Sequence, residues 1–165
     1  MTDEYLVQLV SQRVVQTVEA LGGGVAKPVF LIGGTSVNRS RVLAASAARL
    51  GQQPINLGIS VSSAVLVSEQ TEATRMNTLL DGIIPPDASV AFLDRIAVLF
   101  APWLQCNALD VLAQAARRRT ICASWPGRVE NGRLRYADYG HPECLDGDAN
   151  RALVIDITQS ESANS

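Results

Sequence analysis

The sequence predicts an α/β fold in which a parallel five-stranded sheet carries helices on both faces and a β-hairpin is added to it. Short, continuously apolar runs such as "VFLI" and "TICAS" alternate with stretches of helical apolar spacing. Strands that are apolar throughout are typical of parallel sheets buried on both faces. In "VENGRL", Asn131 and Gly132 separate two segments of alternating polarity, which predicts a hairpin with a type I′ turn.

The composition indicates one domain that works in the cytoplasm. The 165 residues are 47% hydrophobic and 18% charged, so we expect a single domain over 1–158 and a disordered, serine-rich tail over 159–165. A net charge of -2 gives no overall attraction to nucleic acid or to anionic membranes. The sequence shows no apolar run of the roughly 18 residues that a membrane span needs, and no signal-peptide pattern. We therefore expect a cytoplasmic protein without a membrane partner.

The individual elements follow from apolar spacing and from helix-breaking residues. The predicted helices cover 3–21, about 39–50, about 71–80 and about 107–118, and the first of them stops at the glycines 22–24. The predicted strands cover 29–32, 54–60, 89–94, 120–124 and 152–157, with the hairpin over 127–137. Asn107 is expected to cap the helix that it opens, with Asp110 three positions later.

The segment "GGTSVNRS" lies between a predicted strand and a predicted helix, where a phosphate-binding loop would be found. The standard loop reads G-x-x-x-x-G-K followed by Ser or Thr, with the lysine on the outer phosphates and the hydroxyl on magnesium. Here Asn38 replaces the second glycine, Arg39 replaces the lysine and Ser40 is unchanged. The candidate nucleotide-binding residues are Gly33, Gly34, Thr35, Ser36, Val37, Asn38, Arg39 and Ser40.

Asp94 ends the predicted strand "SVAFLD", at the edge of the sheet where ligands of parallel α/β proteins bind. A loop after the first strand and an aspartate after a later one are the layout of a P-loop nucleoside triphosphatase. In such enzymes this aspartate and the loop hydroxyl hold Mg²⁺. Ser40 and Asp94 are therefore the candidate metal ligands, and Asp94 is the candidate catalytic residue.

The departures from the standard loop affect hydrolysis more than binding. Asn38 tolerates a left-handed backbone, so the loop can keep its shape, and the following helix N-terminus attracts anions. Arg39 is forked and planar and does not place a compact charge between phosphates as lysine does. Arg95 stands where many such enzymes carry a water-activating glutamate. We expect weak binding of ATP and Mg²⁺ without independent hydrolysis, and a turn without a ligand remains the alternative.

Zinc and haem are not expected. Cys106, Cys122 and Cys144 are widely spaced and His141 is the single histidine, so a four-ligand zinc site within the chain is implausible. His141 and Cys144 could hold a metal only with ligands from outside the chain. Cys122 lies in an apolar strand and is predicted to be a core residue.

Two groups of arginines are clustered in the sequence. The hairpin is expected to direct Arg128, Glu130, Arg133 and Arg135 to one face, and Val129 and Leu134 to the other. That basic face is either merely solvated or binds nucleic acid or an acidic partner. Arg117, Arg118 and Arg119 are expected to close a helix, where cations offset its dipole.

Binding energy at protein interfaces concentrates in aromatic and arginine side chains. The candidate partner-binding residues are Trp125, Arg128, Arg133, Arg135 and Tyr136, with Trp103 as an addition and a core position as the alternative for Trp125.

The second half of the chain resembles a known family. "VAFLD", "RTICASWPG" and "GRLRYADYGHPE" resemble the aspartate strand, the next strand and the ending of the BrxF family, small P-loop proteins of type III bacteriophage exclusion (BREX) systems, and "PINLGISVS" resembles its second strand. The similarity covers roughly 29–143. It implies an accessory role in bacterial antiphage defence, with other proteins of that system as partners and a homo-oligomer left open.

The sequence thus predicts an accessory P-loop-like defence protein that acts through partners. An active ATPase or small-molecule kinase is the first alternative, for which an intact loop would be expected. A DNA-binding module is the second, although no helix-turn-helix or aromatic RNA-binding motif supports it.

Overall fold

The computed structural model describes residues 3–21, 27–61, 80–101, 107–137 and 141–158. Its helices are α1 (Asp3–Leu21), α2 (Ser36–Arg49) and α3 (Ala108–Ala115). Its strands are β1 (Val29–Ile32), β2 (Ile55–Asn56), β3 (Val90–Asp94), β4 (Thr120–Ser124), β5 (Arg128–Glu130), β6 (Arg133–Tyr136), β7 (Leu145–Asp148) and β8 (Leu153–Asp156). Ile96–Phe100 and Ala149–Arg151 form 3-10 helices, and residues 57–61 and 80–83 are helical.

Five strands form the central sheet, in the order β2-β3-β4-β1-β8, and all of them are parallel. The predicted fold class is therefore confirmed. Because β4 lies between β1 and β3, the segments that follow these three strands emerge side by side at one edge of the sheet. The candidate site lies at this edge.

Apolar side chains cover both faces of the sheet. Val29 and Leu31 of β1 belong to the core cluster on the α1 and α2 side, whereas Phe30 between them belongs to the cluster on the α3 side. All three are fully buried. This alternation explains why the strand is apolar at every position.

A second, antiparallel sheet has the order β5-β6-β7. Asn131 (φ 52°) and Gly132 (φ 74°) connect β5 to β6 with two left-handed residues, which confirms the predicted hairpin turn. Val129 pairs with Leu134, and Leu134 is fully buried in the α3-side core. Strand β7, with the sequence "LDGD", was not predicted because it has a single apolar residue.

Several predicted boundaries are corrected. The strand expected over 54–60 ends at Asn56, because the Asn56 Oδ1 accepts from the Ile59 amide at 3.1 Å and the chain turns into the helical residues 57–61. The helix expected from about 39 begins at Ser36, and the helix expected to reach 118 ends at Ala115. Asn107 caps that last helix as predicted, since its side chain accepts from the Asp110 amide.

The three arginines after α3 do not close a helix. Arg118 forms an ion pair with Asp81, and Arg119 Nη1 donates to the Pro85 carbonyl at 2.8 Å. Arg118 and Arg119 therefore hold in place the segment that precedes β3.

The glycine stop at 22–24, the tail over 159–165 and most of the helix predicted over 71–80 lie outside the described residues. In the described part of the chain, no helix is long and apolar enough to cross a membrane.

Candidate functional site

The connection between β1 and α2 is a tight turn. Gly33 (φ 84°) and Gly34 (φ 60°) are left-handed, and Thr35 caps α2 by accepting the Asn38 amide on its side chain at 3.1 Å. The helix consequently starts at Ser36 and includes the rest of the predicted loop. The expectation that Asn38 would serve as a left-handed loop residue is wrong, since the N-cap draws it into the first helical turn.

The end of β8 packs directly on this turn. A Cβ atom added to Gly33 would lie 2.5 Å from Asp156 Oδ1, and one added to Gly34 would lie 3.0 Å from Ile157 Cδ1. Close approach and backbone conformation thus both require glycine at these positions. The Asp156 carboxylate also places a negative charge beside the turn, which opposes a second anion there.

Arg39 is bound inside the protein. Its side chain reaches back past the turn, and the residue is only 7% exposed. Nε donates to Ser124 Oγ at 3.1 Å, and Nη1 donates to the carbonyls of Gly33 at 2.8 Å and Gly34 at 3.3 Å. Burial lowers the pKa of Arg39 and the nearby Asp94 carboxylate opposes this change, so the guanidinium remains charged at neutral pH.

Ser40 and Asp94 lie together, as the sequence predicted. Ser40 Oγ donates to Asp94 Oδ1 at 3.1 Å, and the Arg95 amide donates to the same oxygen at 2.9 Å. The serine comes from the second turn of α2 and the aspartate from the end of β3. Hydroxyl and carboxylate oxygens are the ligand types that Mg²⁺ prefers.

Arg95 has an unusual backbone. It is left-handed (φ 57°, ψ 47°), a conformation that is uncommon for residues other than glycine, asparagine and aspartate. Its side chain is exposed and makes no hydrogen bond or ion pair within the described residues. Non-glycine residues held in this conformation cluster at functional sites.

A small cavity joins these groups. It has a volume of about 100 Å³, and its lining includes Ser36, Arg39, Asp94, Arg95, Ser124 and Pro126. Pockets for drug-sized ligands measure roughly 300–1,000 Å³. The Ser40 and Asp94 oxygens suit Mg²⁺, but the cavity is too small for ATP and Arg39 is already bonded to the turn. The residues present do not fit a bound nucleotide in this conformation.

Trp125, Pro126 and Gly127 form a corner between the two sheets. Trp125 is fully buried, and its ring stacks on Phe30 with the ring centroids 5.0 Å apart. Its Nε1 donates to the Arg135 carbonyl at 3.3 Å. The assignment of Trp125 to a docking surface is therefore wrong, because this side chain fills the core where the small sheet joins the central one.

The basic face of the hairpin is balanced by acidic neighbours. Arg128 Nε lies 3.1 Å from Glu130 Oε2, and Arg133 Nε lies 2.9 Å from Asp146 Oδ1. The hydrogen bond from Arg133 holds the pKa of Asp146 below its usual range, and Arg135 lies within 4.0 Å of the same carboxylate. Asp146 belongs to β7, so the missed strand supplies the charge that sequence reasoning left out.

Tyr136 stands at the margin between core and surface. Its ring stacks on Phe100 at a centroid distance of 4.2 Å, and the residue is partly exposed. Burial, with a smaller contribution from Glu143, raises the pKa of Tyr136. Arg128, Arg133, Arg135 and Tyr136 therefore remain reachable from solvent as predicted, each with part of its side chain packed.

The remaining candidates have structural roles or fall outside the description. Cys122 is buried as predicted, and burial raises the pKa of its thiol to about 12. His141 Nδ1 accepts from the Glu143 amide at 3.0 Å within a local turn. Trp103 and Cys106 lie outside the described residues.

No protein-family model matches the chain, and no curated protein or solved structure matches it either.

Proposed function

We propose that the protein is an accessory P-loop-like component of a type III BREX antiphage defence system, acting through partner proteins and without hydrolysing nucleotide itself. One observation carries the proposal: the cation that replaces the loop lysine is bonded to the turn carbonyls of Gly33 and Gly34 and to Ser124. A guanidinium held in this way positions the turn and is withdrawn from any phosphate.

The same contacts make any binding of nucleotide weak. A triphosphate would have to displace Arg39 from three acceptors and approach the Asp156 carboxylate beside Gly33. Losing hydrogen bonds from a charged donor costs about 1.5–3 kcal/mol each. Two backbone amides at the start of α2, those of Ser36 and Val37, still attract an anion. They make a small favourable contribution to the free energy of nucleotide binding.

The absence of hydrolysis follows from the residues around Asp94. Its neighbour Arg95 carries no carboxylate that could activate water. Asp94 itself accepts from Ser40 Oγ, so it holds the start of α2 against the end of β3. In this protein the aspartate that P-loop enzymes use for Mg²⁺ serves to join two elements of the fold.

A role through partners is supported by the small sheet. Its outer face carries Arg128, Arg133 and Arg135, interspersed with Glu130 and Asp146. An alternating charge pattern favours a specific protein surface over the uniform negative charge of DNA, because specificity arises from matching both signs. Among the motifs that resemble the BrxF family, "RTICASWPG" contains the corner below this sheet and "GRLRYADYGHPE" contains its strand β6.

The test is binding and turnover of Mg-ATP by the wild type, by Arg39→Lys and by Arg41→Lys as the matched control on the exposed side of α2. A ligand at about 100 times its dissociation constant stabilises by about 2.7 kcal/mol, or roughly 5–10 °C in melting temperature for this length. We expect a smaller shift with millimolar Mg-ATP and no phosphate release from any of the three proteins. Arg39→Lys restores the loop lysine but leaves the tight turn and Asp156 in place. Steady phosphate release that Asp94→Ala abolishes would show an active ATPase.

A further inference from the structure

We infer that the protein forms a two-fold symmetric dimer in which the outer edge of β5 pairs antiparallel with the same edge of a second copy. The two small sheets then join into one continuous sheet, with β5 of each copy at its centre and β7 of each copy at its ends. The inference goes beyond the proposed function, because it concerns the edge of the small sheet and a second copy of this chain.

The outer edge of β5 presents a backbone donor and a backbone acceptor. Among the described strands, β5 pairs with β6 alone. Because Asn131 and Gly132 form a two-residue turn, Glu130 and Arg133 on either side of it exchange both backbone hydrogen bonds, and such bonded pairs alternate along the strands. The N–H and C=O of Val129 therefore point away from β6. A second strand at this edge would meet these two groups.

A two-fold axis beside Val129 would give both groups a partner. In an antiparallel pair with the same strand of a second copy, Val129 faces Val129, and the two residues exchange N–H to C=O bonds. The same symmetry places Arg128 of each copy opposite Glu130 of the other. The three-residue strand "RVE" is thus complementary to itself in its backbone hydrogen bonds and in its charges.

The outer face of the small sheet consists of two rows of opposite net charge. The strand register places Arg128, Arg135 and Asp146 in one row, and Glu130, Arg133 and Asp148 in the other. Two positive charges and one negative charge give the first row +1, and the reverse composition gives the second row -1. Two-fold pairing through β5 continues the positive row of one copy into the negative row of the other. This charge complementarity favours a second copy as the partner at this edge.

The surroundings of Arg128 favour the same arrangement. Its neighbour directly across the pair with β6 is Arg135, and like charges in this position destabilise a sheet. Within its own strand, Arg128 Nε lies 3.1 Å from Glu130 Oε2. The glutamate of a second copy would add an opposite charge on the side of Arg128 away from Arg135, which offsets the repulsion between the two arginines.

The other edge strands of the two described sheets lack this self-complementarity. The edges are β2 and β8 in the central sheet and β5 and β7 in the small sheet. β2 contains no charged residue, and β7 and β8 contain only acidic ones. Two-fold pairing through these three strands would bring together like charges or none, whereas β5 carries both signs.

Sedimentation equilibrium of the full chain over a concentration series measures the association, and ¹H–¹⁵N NMR over the same series locates it. A pairing of three residues covers less than the roughly 1,200 Å² that stable interfaces bury, so we expect a dimer that dissociates on dilution and forms below about 1 mM. The Val129 amide and its neighbours in β5 should shift with concentration.

Two charge reversals test the register. Arg128→Glu places two acidic side chains opposite each other, and Glu130→Arg places two arginines opposite each other, so each should weaken self-association about ten-fold. An equimolar mixture of the two variants should associate as the wild type does, because every reversed position then faces its opposite. Arg41→Glu makes the same change in net charge as Arg128→Glu on an exposed side chain of α2, and it should leave association unchanged.

Val129→Pro tests the backbone bonds. Proline lacks the N–H that the second copy would bond, and edge strands tolerate it where that N–H points outward. This variant should keep the pairing of β5 with β6, which its NMR spectrum shows, and lose the dimer. It leaves every charged side chain of the outer face in place, so its effect is separate from the docking of other proteins.

The inference is overturned if the wild type stays monomeric up to about 1 mM, if either charge reversal associates as the wild type does, or if the mixture of the two variants stays monomeric. Association that survives Val129→Pro with β5 still paired to β6 would place the dimer on another surface and would equally contradict it. None of these outcomes bears on the Mg-ATP experiment, which measures nucleotide binding and turnover.

Discussion

Arg39 Nη1 donates to the carbonyl oxygen of Gly33 at 2.8 Å, across the turn that would hold phosphate in a P-loop enzyme. In such an enzyme the cation at this position faces the ligand. Here it faces its own backbone, and the same guanidinium also contacts Ser124 at the end of β4. Arg39, one of two residues that depart from the standard loop, therefore links α2 to the turn after β1 and to the end of β4.

This contact predicts a stabilising role for Arg39. Arg39→Met removes the donors to Ser124, Gly33 and Gly34, and we expect the free energy of unfolding to fall by about 2–4 kcal/mol, because charged hydrogen bonds contribute about 1.5–3 kcal/mol each and are not additive. Arg41→Met, on the exposed side of the same helix, should change it by less than about 0.5 kcal/mol. Urea unfolding followed by circular dichroism measures both. Equal midpoints for the two variants would show that the hydrogen bonds of Arg39 add nothing to the free energy of unfolding.

The corner between the sheets predicts a strict need for glycine at position 127. A Cβ atom added there would lie 1.8 Å from the Arg135 carbonyl oxygen, so Gly127→Ala should push the small sheet away from Trp125 and cost about 1–3 kcal/mol. Gly82→Ala is the matched control, since its added Cβ meets nothing within 4 Å and its helical backbone favours alanine. We expect Gly82→Ala to be neutral or slightly stabilising. A Gly127→Ala variant as stable as Gly82→Ala would contradict the described packing of the corner.

The pairing of Arg133 with Asp146 predicts a pH effect on the small sheet. The folded pKa of Asp146 is lowered, so the contribution of this pair to stability is present above the ordinary pKa of aspartate and is lost as the pH falls through the folded value. Carboxyl NMR titration should show that Arg133→Gln moves the Asp146 pKa upward. Arg128→Gln, which removes one partner of Glu130 and leaves Arg135 in place, is the control and should leave the Asp146 pKa nearly unchanged. A titration of Asp146 insensitive to Arg133 would mean that the two groups do not interact in solution.

The same pairing predicts weak or absent binding to DNA. Each phosphate contact would steepen the dependence of log affinity on log salt by about 0.9. Glu130 and Asp146 offset Arg128, Arg133 and Arg135, so we expect no binding to a random-sequence duplex at physiological salt. Fluorescence anisotropy across a salt series measures this. Salt-sensitive binding that disappears when the three arginines become alanine would favour the DNA-binding module.

Much of the fold followed from local sequence signals. The buried strands and the Asn131–Gly132 turn were predictable because continuous apolar runs and residues that tolerate positive φ specify them directly. The early start of α2 was missed because the spacing of this segment suggested a loop motif. The N-cap bond between Thr35 and Asn38 starts the helix inside that motif. Strand β7 was missed because "LDGD" carries almost no apolar pattern. Its pairing with β6 is what defines it as a strand.

The site was predictable in position and only partly in contacts. Ser40 and Asp94 meet because the ends of parallel strands share one edge, which sequence order alone implies. The inward direction of Arg39 and the burial of Trp125 depend on Ser124 and Phe30, which come from other strands. Such contacts become visible only when distant segments are brought together.

We propose that defence depends on docking and not on nucleotide chemistry. Phage plaquing on cells that carry the whole type III BREX island tests this proposal. The surface variant is Arg128→Ala with Arg133→Ala, its matched control is Arg41→Ala with Arg117→Ala, and the nucleotide-site variants are Ser40→Ala and Asp94→Asn. Tyr136 is left unchanged because its ring packs on Phe100. Immunoblots and melting temperatures must first show that each variant is folded and equally abundant.

We predict that the surface variant loses protection and co-purification of partner proteins, while the control and both nucleotide-site variants keep them. Loss of protection in Ser40→Ala and Asp94→Asn, with the fold and partners retained and with the surface variant still protective, would contradict the account and make the phosphate site the working part of the protein.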